Sequence, residues 1–227
     1  MSSASKPQDE GALAGAAAAP VGDAGHRSWT HRLARIAVRP LLGTWVTPNH
    51  LTTARLVTGL AACALFVIGD YAADVWAGVL WVVSAFLDRA DGELARIGGK
   101  TTPWGHAYDY ACDTLVNALF FLSIGIGLRH GALGNYAIAL GVLAGGGIIV
   151  SNILSEAFEK RLASGTRIYA GGGGFDFDDL LYLLGPAAWL GWLAPMLIGA
   201  SFGAPLMAII SAVKLRQLIR QGATKPS

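Results

Sequence analysis

The chain has 227 residues, of which 53% are hydrophobic and only 14% charged, with a formal net charge of +2 and a positive mean hydropathy. Such a composition excludes an ordinary soluble domain of this size and indicates an integral membrane protein. Basic residues cluster beside apolar runs rather than in a stripe, so no nucleic-acid partner is expected, and Cys63 and Cys112, both inside apolar runs, offer neither a disulfide framework nor metal-ligand spacing.

Residues 1–27, with GALAGAAAAP at their centre, lack bulky apolar side chains and read as a disordered tail rather than a signal peptide. From Ser28 to Arg39 the pattern SWTHRLARIAVR sets Trp29, Leu33 and Ile36 near one helical face and His31, Arg32, Arg35 and Arg39 around the rest. This predicts an amphipathic interfacial helix over residues 28–42. Six apolar segments follow, at 51–69, 74–97, 104–129, 134–156, 177–194 and 196–218. Most approach the roughly 20 residues needed to cross a bilayer. The fifth is the weakest, interrupted by Gly185-Pro186 and closed by Pro195, so a short or kinked span is expected there. The expected fold is all-α: six transmembrane helices preceded by the interfacial helix, in one membrane domain over 28–220, with a C-terminal tail at 221–227.

Five Lys and Arg residues precede the first span, three lie at the second hairpin, three between spans four and five, and four near the C-terminus, whereas Arg129 falls on the other side. By the positive-inside rule both termini and the second hairpin face the cytoplasm, which for a bacterial chain means the inner membrane.

Inside this apolar context residues 88–113 read DxxDGxxARx8GxxxDxxxD, fixed at Asp88, Asp91, Gly92, Ala95, Arg96, Gly105, Asp109 and Asp113. Intramembrane carboxylates are costly and mark functional sites. Gly98-Gly99 is a natural helix stop and Thr102-Pro103 a natural N-cap and first turn, so the two spans join by a short turn. Asp91 and Asp109 then lie roughly 10 Å along their helices from the turn, and Asp88 and Asp113 roughly 15 Å. Each pair, spaced three or four residues apart, occupies one helical face, so antiparallel helices present four carboxylates to one another in a cavity open to the cytoplasm.

Four such acids need positive charge, and oxygen-only ligands favour Mg²⁺, Mn²⁺ or Ca²⁺ over zinc. A diphosphate substrate suits a Mg²⁺ site of this kind. Gly92 and Gly105 remove side chains beside the acids, and Arg96 is suited to pair with phosphate oxygens. Arg55, about one turn inside the first span, is a candidate partner for substrate phosphate or for one of the acids. Lys160, Arg161 and Arg167, with Lys214 and Arg216, are candidates for an anion-binding wall, though cytoplasmic loops carry such residues for topology alone. In the segment Gly171 to Asp179 the glycines read as a linker and Asp178 or Asp179 as a helix cap, while Gly145-Gly146-Gly147 reads as a close helix contact.

The stretch from Asp88 to Asp113 resembles the signature of the CDP-alcohol phosphotransferase (CDP-alcohol phosphatidyltransferase) family, with no position departing from it, and the segment Thr47 to Thr52 resembles the family's TPNxLT pattern. The resemblance implies transfer of a substituted phosphate from a CDP-linked donor to an alcohol, releasing CMP. It implies that Asp88, Asp91 and Asp109 bind divalent metal, Mg²⁺ or Mn²⁺, as a pair of ions. Asp113 would join that site and act as the base, with Asp109 also in the catalytic group. Gly92, Ala95, Arg96 and Gly105 would contact nucleotide or phosphate, and Asn49 and Thr52 become possible substrate contacts. The expected donor is CDP-diacylglycerol, the acceptor a polar alcohol such as glycerol 3-phosphate or an inositol phosphate, and the assembly a homodimer. A soluble CDP-alcohol acting on diacylglycerol is the alternative. A cation-coupled small transporter is the rival of another class, but it leaves the register of Gly92, Ala95, Arg96 and Gly105 unexplained.

Overall fold

The structure, a computed structural model, describes residues 29–161 and 177–220. All its regular elements are helical. In chain order they are α1 (Trp29–Val38), a 3₁₀ turn (Arg39–Leu41), α2 (Pro48–Ile68), α3 (Tyr71–Ile97), α4 (Pro103–Gly127) with a 3₁₀ extension to His130, α5 (Tyr136–Glu159), a 3₁₀ segment (Phe177–Leu183), α6 (Leu184–Trp189) and α7 (Leu193–Arg220). Five helices among the described residues, α2, α3, α4, α5 and α7, are long and apolar enough to cross a membrane.

Their ends follow local backbone chemistry. α2 begins with Pro48 in its first turn and a capping box between Thr47 and His50, and stops at Gly69, whose φ of 78° is left-handed. α3 opens with Asp70 accepting from the Ala73 amide and closes at Gly98, followed by Gly99 at φ 62°. Thr102 then accepts from the Gly105 amide and Pro103 opens α4, so the α3–α4 connection is the short turn expected.

Between these helices the packing is aromatic at the centre and close at the edges. The Phe120 ring lies 3.9 Å from Trp81 and 5.3 Å from Phe66, centroid to centroid, which ties α4 to α3 and α2. In lipid, small residues supply the tight approaches. A Cβ on Gly145 would fall 2.7 Å from the Ala118 carbonyl, and one on Gly147 2.7 Å from the Pro205 nitrogen, so two of the three consecutive glycines 145–147 are helix contacts, as expected. Cys63 and Cys112 are buried, unbridged packing residues.

The fifth apolar segment, expected to be short or kinked, is not one continuous α-helix. Its described part is the 3₁₀ segment followed by α6, running antiparallel along α3: Tyr182 Oη donates to the Ala85 carbonyl, Trp81 Nε1 to the Leu181 carbonyl and Trp189 Nε1 to the Val75 carbonyl. A 3₁₀ helix rises about 2.0 Å per residue against 1.5 Å for α, so residues 177–189 reach roughly 23 Å, nearly as far as α3 rises from Tyr71 to Arg89. Gly78 and Gly185 permit the approach, since a Cβ on Gly185 would meet the Val82 side chain at 2.5 Å. Apolar length alone did not distinguish this segment from an α-helical one.

α1 packs on α3 with Thr30, His31, Ala34 and Val38 buried, while Trp29, Leu33 and Ile36 are about half exposed or more. Its amphipathicity is thus inverted relative to a helix on a soluble core: part of the polar face, His31 included, is turned into the protein, and the apolar face outward.

A candidate metal and phosphate site between α2, α3 and α4

Helical spacing delivers the site's side chains from three elements. α2 supplies Thr52 and Arg55 three residues apart, α3 supplies Asp88 and Asp91, and α4 supplies Asp109 and Asp113. Each of Asp88, Asp91 and Asp109 offers a carboxylate oxygen, and these atoms all lie within 4.8 Å of one another. Asp91 is buried and accepts from Thr52 Oγ1 at 2.7 Å.

Asp113 sits next to this trio, held by other means. Its Oδ1 accepts from Arg55 Nη2 and from Asn117 Nδ2, both at 2.6 Å. Arg55, only 3% exposed, also brings Nη1 within 2.9 Å of Asp88 Oδ1 and 3.6 Å of Asp109 Oδ1. The guanidinium therefore bridges three of the four acids and sits where a lone intramembrane charge would be most costly. A cavity of about 10 Å³, room for about one water, adjoins it, lined by Arg55, Ser84, Asp88 and Asn117 with Trp81, Val116 and Leu181.

One guanidinium among four carboxylates leaves the group strongly negative. Asp109 Oδ1 is buried and has no hydrogen-bond donor among the described residues. An orphaned anionic oxygen beside two further carboxylates fits an oxygen-liganded divalent cation, and the absence of nitrogen and sulfur ligands in the trio fits Mg²⁺ or Mn²⁺.

The remaining motif residues divide in two. The site of a Cβ on Gly92 has no atom within 4 Å, so the surface beside Asp91 is open, whereas one on Gly105 would meet Thr102 Oγ1 at 3.0 Å and Asn49 Oδ1 at 3.2 Å. Ala95 is half-buried on the face of α3 shared with Gly92. Arg96 turns the other way and donates through Nη2 to Glu93 Oε1 at 2.5 Å. Glu93 is fully buried and also receives His31 Nδ1 at 2.9 Å and Arg35 Nε at 3.0 Å. Glu93 and Asn117 carry no expectation from the sequence, and His31 was expected only on the polar face of the interfacial helix. The Glu93–Arg96 spacing of three residues was the one local signal, and His31 is 62 residues away from Glu93 in the chain.

Lys160 and Arg161 are exposed just beyond the end of α5, Lys160 pairing with Glu156 at 3.2 Å, and Glu156 also faces His106 at 3.5 Å. Arg167 and residues 171–176 lie outside the described residues. Asp179, expected as a helix cap, is buried and accepts from Thr30 Oγ1 at 2.6 Å, with Arg89 Nη2 at 3.6 Å.

A model of the CDP-alcohol phosphatidyltransferase family matches residues 45–171, more than half the chain and all of the acidic motif. The chain belongs to that family. Among its relatives, archaetidylinositol phosphate synthase of Pyrococcus horikoshii is 34% identical over 39% of this chain and 46% of that protein. Phosphatidylinositol phosphate synthase of Corynebacterium glutamicum is 37% identical over 35% of each. Cholinephosphotransferase 1 of Gallus gallus is 30% identical over 40% of this chain and 29% of that protein. The matches thus span less than half the length of each of these relatives. In fold, the chain resembles Mycobacterium tuberculosis phosphatidylinositol phosphate synthase with CDP-DAG bound, at a TM-score of 0.59 and 20% identity, covering 86% of this chain and 98% of that one. A second structure of that synthase, in complex with manganese and citrate, gives 0.56 at 20% identity over 87% and 93% of the two chains. This family member is therefore a multi-pass helical membrane protein whose signature acids meet at one end of its helices.

Proposed function

We propose that this chain transfers the phosphatidyl group of CDP-diacylglycerol to the hydroxyl of a polar phosphorylated alcohol and releases CMP. The observation that carries the reading is the carboxylate trio within 4.8 Å, with Asp113 and the buried Arg55 beside it, on helices that carry the full family signature. A divalent cation, Mg²⁺ or Mn²⁺ in a two-metal arrangement held by Asp88, Asp91 and Asp109 with Asp113 adjoining, would neutralise the donor diphosphate and the leaving CMP.

The chain's own residues account for the rest. The acceptor oxygen attacks the phosphatidyl phosphorus, the bond from that phosphorus to the bridging diphosphate oxygen breaks, and CMP departs with that oxygen. Asp113 takes the hydroxyl proton, oriented by Asn117 and Arg55, which both donate to its Oδ1. Open space beside Gly92, with Ala95 on the same face and Gly105 across the turn, gives nucleotide and phosphate room to approach backbone. Asn49 and Thr52 border the same region, Thr52 by orienting Asp91. Arg96 serves phosphate only by leaving Glu93.

An inositol phosphate is the favoured acceptor over glycerol 3-phosphate, because the relatives named above include two inositol phosphate lipid synthases. Lys160, Arg161 and Arg167 would flank its phosphate. In the same proposal the 3₁₀ segment and α6 make a sixth crossing, α1 lies at the interface, both termini and the site lie on the cytoplasmic side of the inner membrane, and the protein is a homodimer. The match to a cholinephosphotransferase favours, second, a soluble CDP-alcohol acting on diacylglycerol. Purified protein incubated with radiolabelled CDP-diacylglycerol, Mg²⁺ and a panel of acceptors should yield CMP and one new lipid. Product from CDP-choline and diacylglycerol alone would overturn the donor assignment, and no CMP from any pair would overturn the reading.

A further inference from the structure

Glu93 occupies a variable position of the signature, between Gly92 and Leu94, and nothing in the reaction proposed above uses it. It is nonetheless 0% exposed and surrounded by cationic groups. Its Oε1 takes His31 Nδ1 and Arg96 Nη2, and its Oε2 takes Arg35 Nε. Arg89 Nη1 faces His31 Nε2 at 3.4 Å and Arg96 Nη2 faces His31 Nδ1 at 3.3 Å, so the imidazole is enclosed by the same network. Arg89 in turn faces Asp179 of the 3₁₀ segment, which also receives Thr30 of α1. One buried carboxylate thus joins α1 to α3, and a second joins both to the fifth segment.

The placement of this network on α3 gives it a consequence for the site. At about 100° per residue, Asp88, Asp91, Gly92 and Ala95 fall in an arc of about 100°, while Arg89, Glu93 and Arg96 fall in an arc of about 60° centred roughly 120° away. α3 is therefore gripped on one flank by α1 while its other flank faces α2 and α4. Rotation of its last turns about the helix axis would move Asp88 and Asp91 relative to Asp109, and on the α1 flank the Glu93 contacts oppose that rotation. Buried charge is suited to this task, because an ion pair in a dry site tolerates few alternative geometries.

We propose that Glu93 is a positioning residue: by binding His31 and Arg35 of α1 together with Arg96, it fixes the rotation of α3 and so presents Asp88 and Asp91 to the metal. The inference rests on the reading of those two acids as metal ligands. α1, although it supplies no group to the site, is then part of what makes the site bind metal.

The test is Mn²⁺ binding to the full chain in lipid nanodiscs, followed by electron paramagnetic resonance without nucleotide, with thermal unfolding recorded in parallel. Wild type should bind Mn²⁺. Glu93→Gln, and the milder Arg35→Gln on the partly exposed α1 side, should each weaken Mn²⁺ binding, the first about tenfold. The double variant should be no weaker than Glu93→Gln, because Arg35 acts through Glu93. With CDP-diacylglycerol as substrate, kcat should fall more than KM rises. Folded Arg35→Gln or Glu93→Gln protein with wild-type Mn²⁺ affinity overturns the positioning role, as do losses that add in the double variant. Should Glu93→Gln fail to fold, Arg35→Gln decides alone. Wild type that binds no Mn²⁺ overturns the metal-site reading itself.

Discussion

On one face of the last turns of α3, Asp88 and Asp91 meet Asp109 and Asp113, with Arg55 as the guanidinium bridging three of the four. On the neighbouring face Glu93 meets Arg35, Arg96 and His31. The first group has more negative charge than its own side chains neutralise and keeps an orphaned carboxylate oxygen; the second surrounds its carboxylate with donors. Both are costly to bury, and the difference lies in whether the protein completes the charge itself. A group completed from within holds elements together, while a group left anionic is suited to receive cations and the phosphates that come with them.

Removing the metal should break the contrast most fully. EDTA is expected to abolish CMP release, and Mg²⁺ or Mn²⁺ to restore it, with no loss of folded protein by size-exclusion chromatography. Activity unchanged in EDTA would mean that Arg55 alone completes the site. Next in size is Asp113→Asn, expected to lower kcat by about 10²- to 10⁴-fold while CMP binding, read by calorimetry, persists. Full turnover by this variant would remove Asp113 from the proton transfer.

Arg55→Gln separates the two groups by stability. It leaves buried carboxylates uncompensated and should destabilise the protein by about 3–5 kcal/mol in thermal or denaturant unfolding. Millimolar Mg²⁺ should recover more of that loss than it adds to wild type, since the cation would take over the neutralising charge. Equal Mg²⁺ effects on both proteins would show that the guanidinium and the metal do not share one anionic group. The smallest effect is expected at Gly92. Gly92→Ala meets no atom within 4 Å and should be neutral, or stabilising by up to about 1 kcal/mol through helix propensity. A fall in nucleotide affinity for this variant, by calorimetry, would then report a ligand against that surface, and wild-type affinity would remove Gly92 from the nucleotide contacts.

Much of this architecture is legible along the chain. The stops at Gly98 and Gly99 and the Thr102-Pro103 start are chemistry of a few adjacent residues, so they fix the turn and, by counting along α3 and α4, the depth of each acid. The signature was readable for the same reason, since its spacings are helical repeats. Arg55 could be named as a candidate because a charge one turn inside an apolar span has few alternatives, but its bridging of Asp88, Asp109 and Asp113 joins residues 33 to 58 positions apart and depends on how α2 packs. Glu93 was less legible still, because a charged residue near a hairpin ordinarily reads as facing water. In the fifth segment the interruption at Gly185-Pro186 was legible but the 3₁₀ form was not, because hydropathy records apolar length without rise per residue.

The amino-acid sequence by itself determined a helical membrane protein, the hairpin and the four acids at paired depths, because these depend on composition, capping and periodicity within single helices. Only the tertiary structure decided which charges complete one another. That choice is made by three helices converging on Arg55 and by α1 docking on Glu93, and the energy of a buried charge depends on its neighbours in space rather than on its neighbours in the chain.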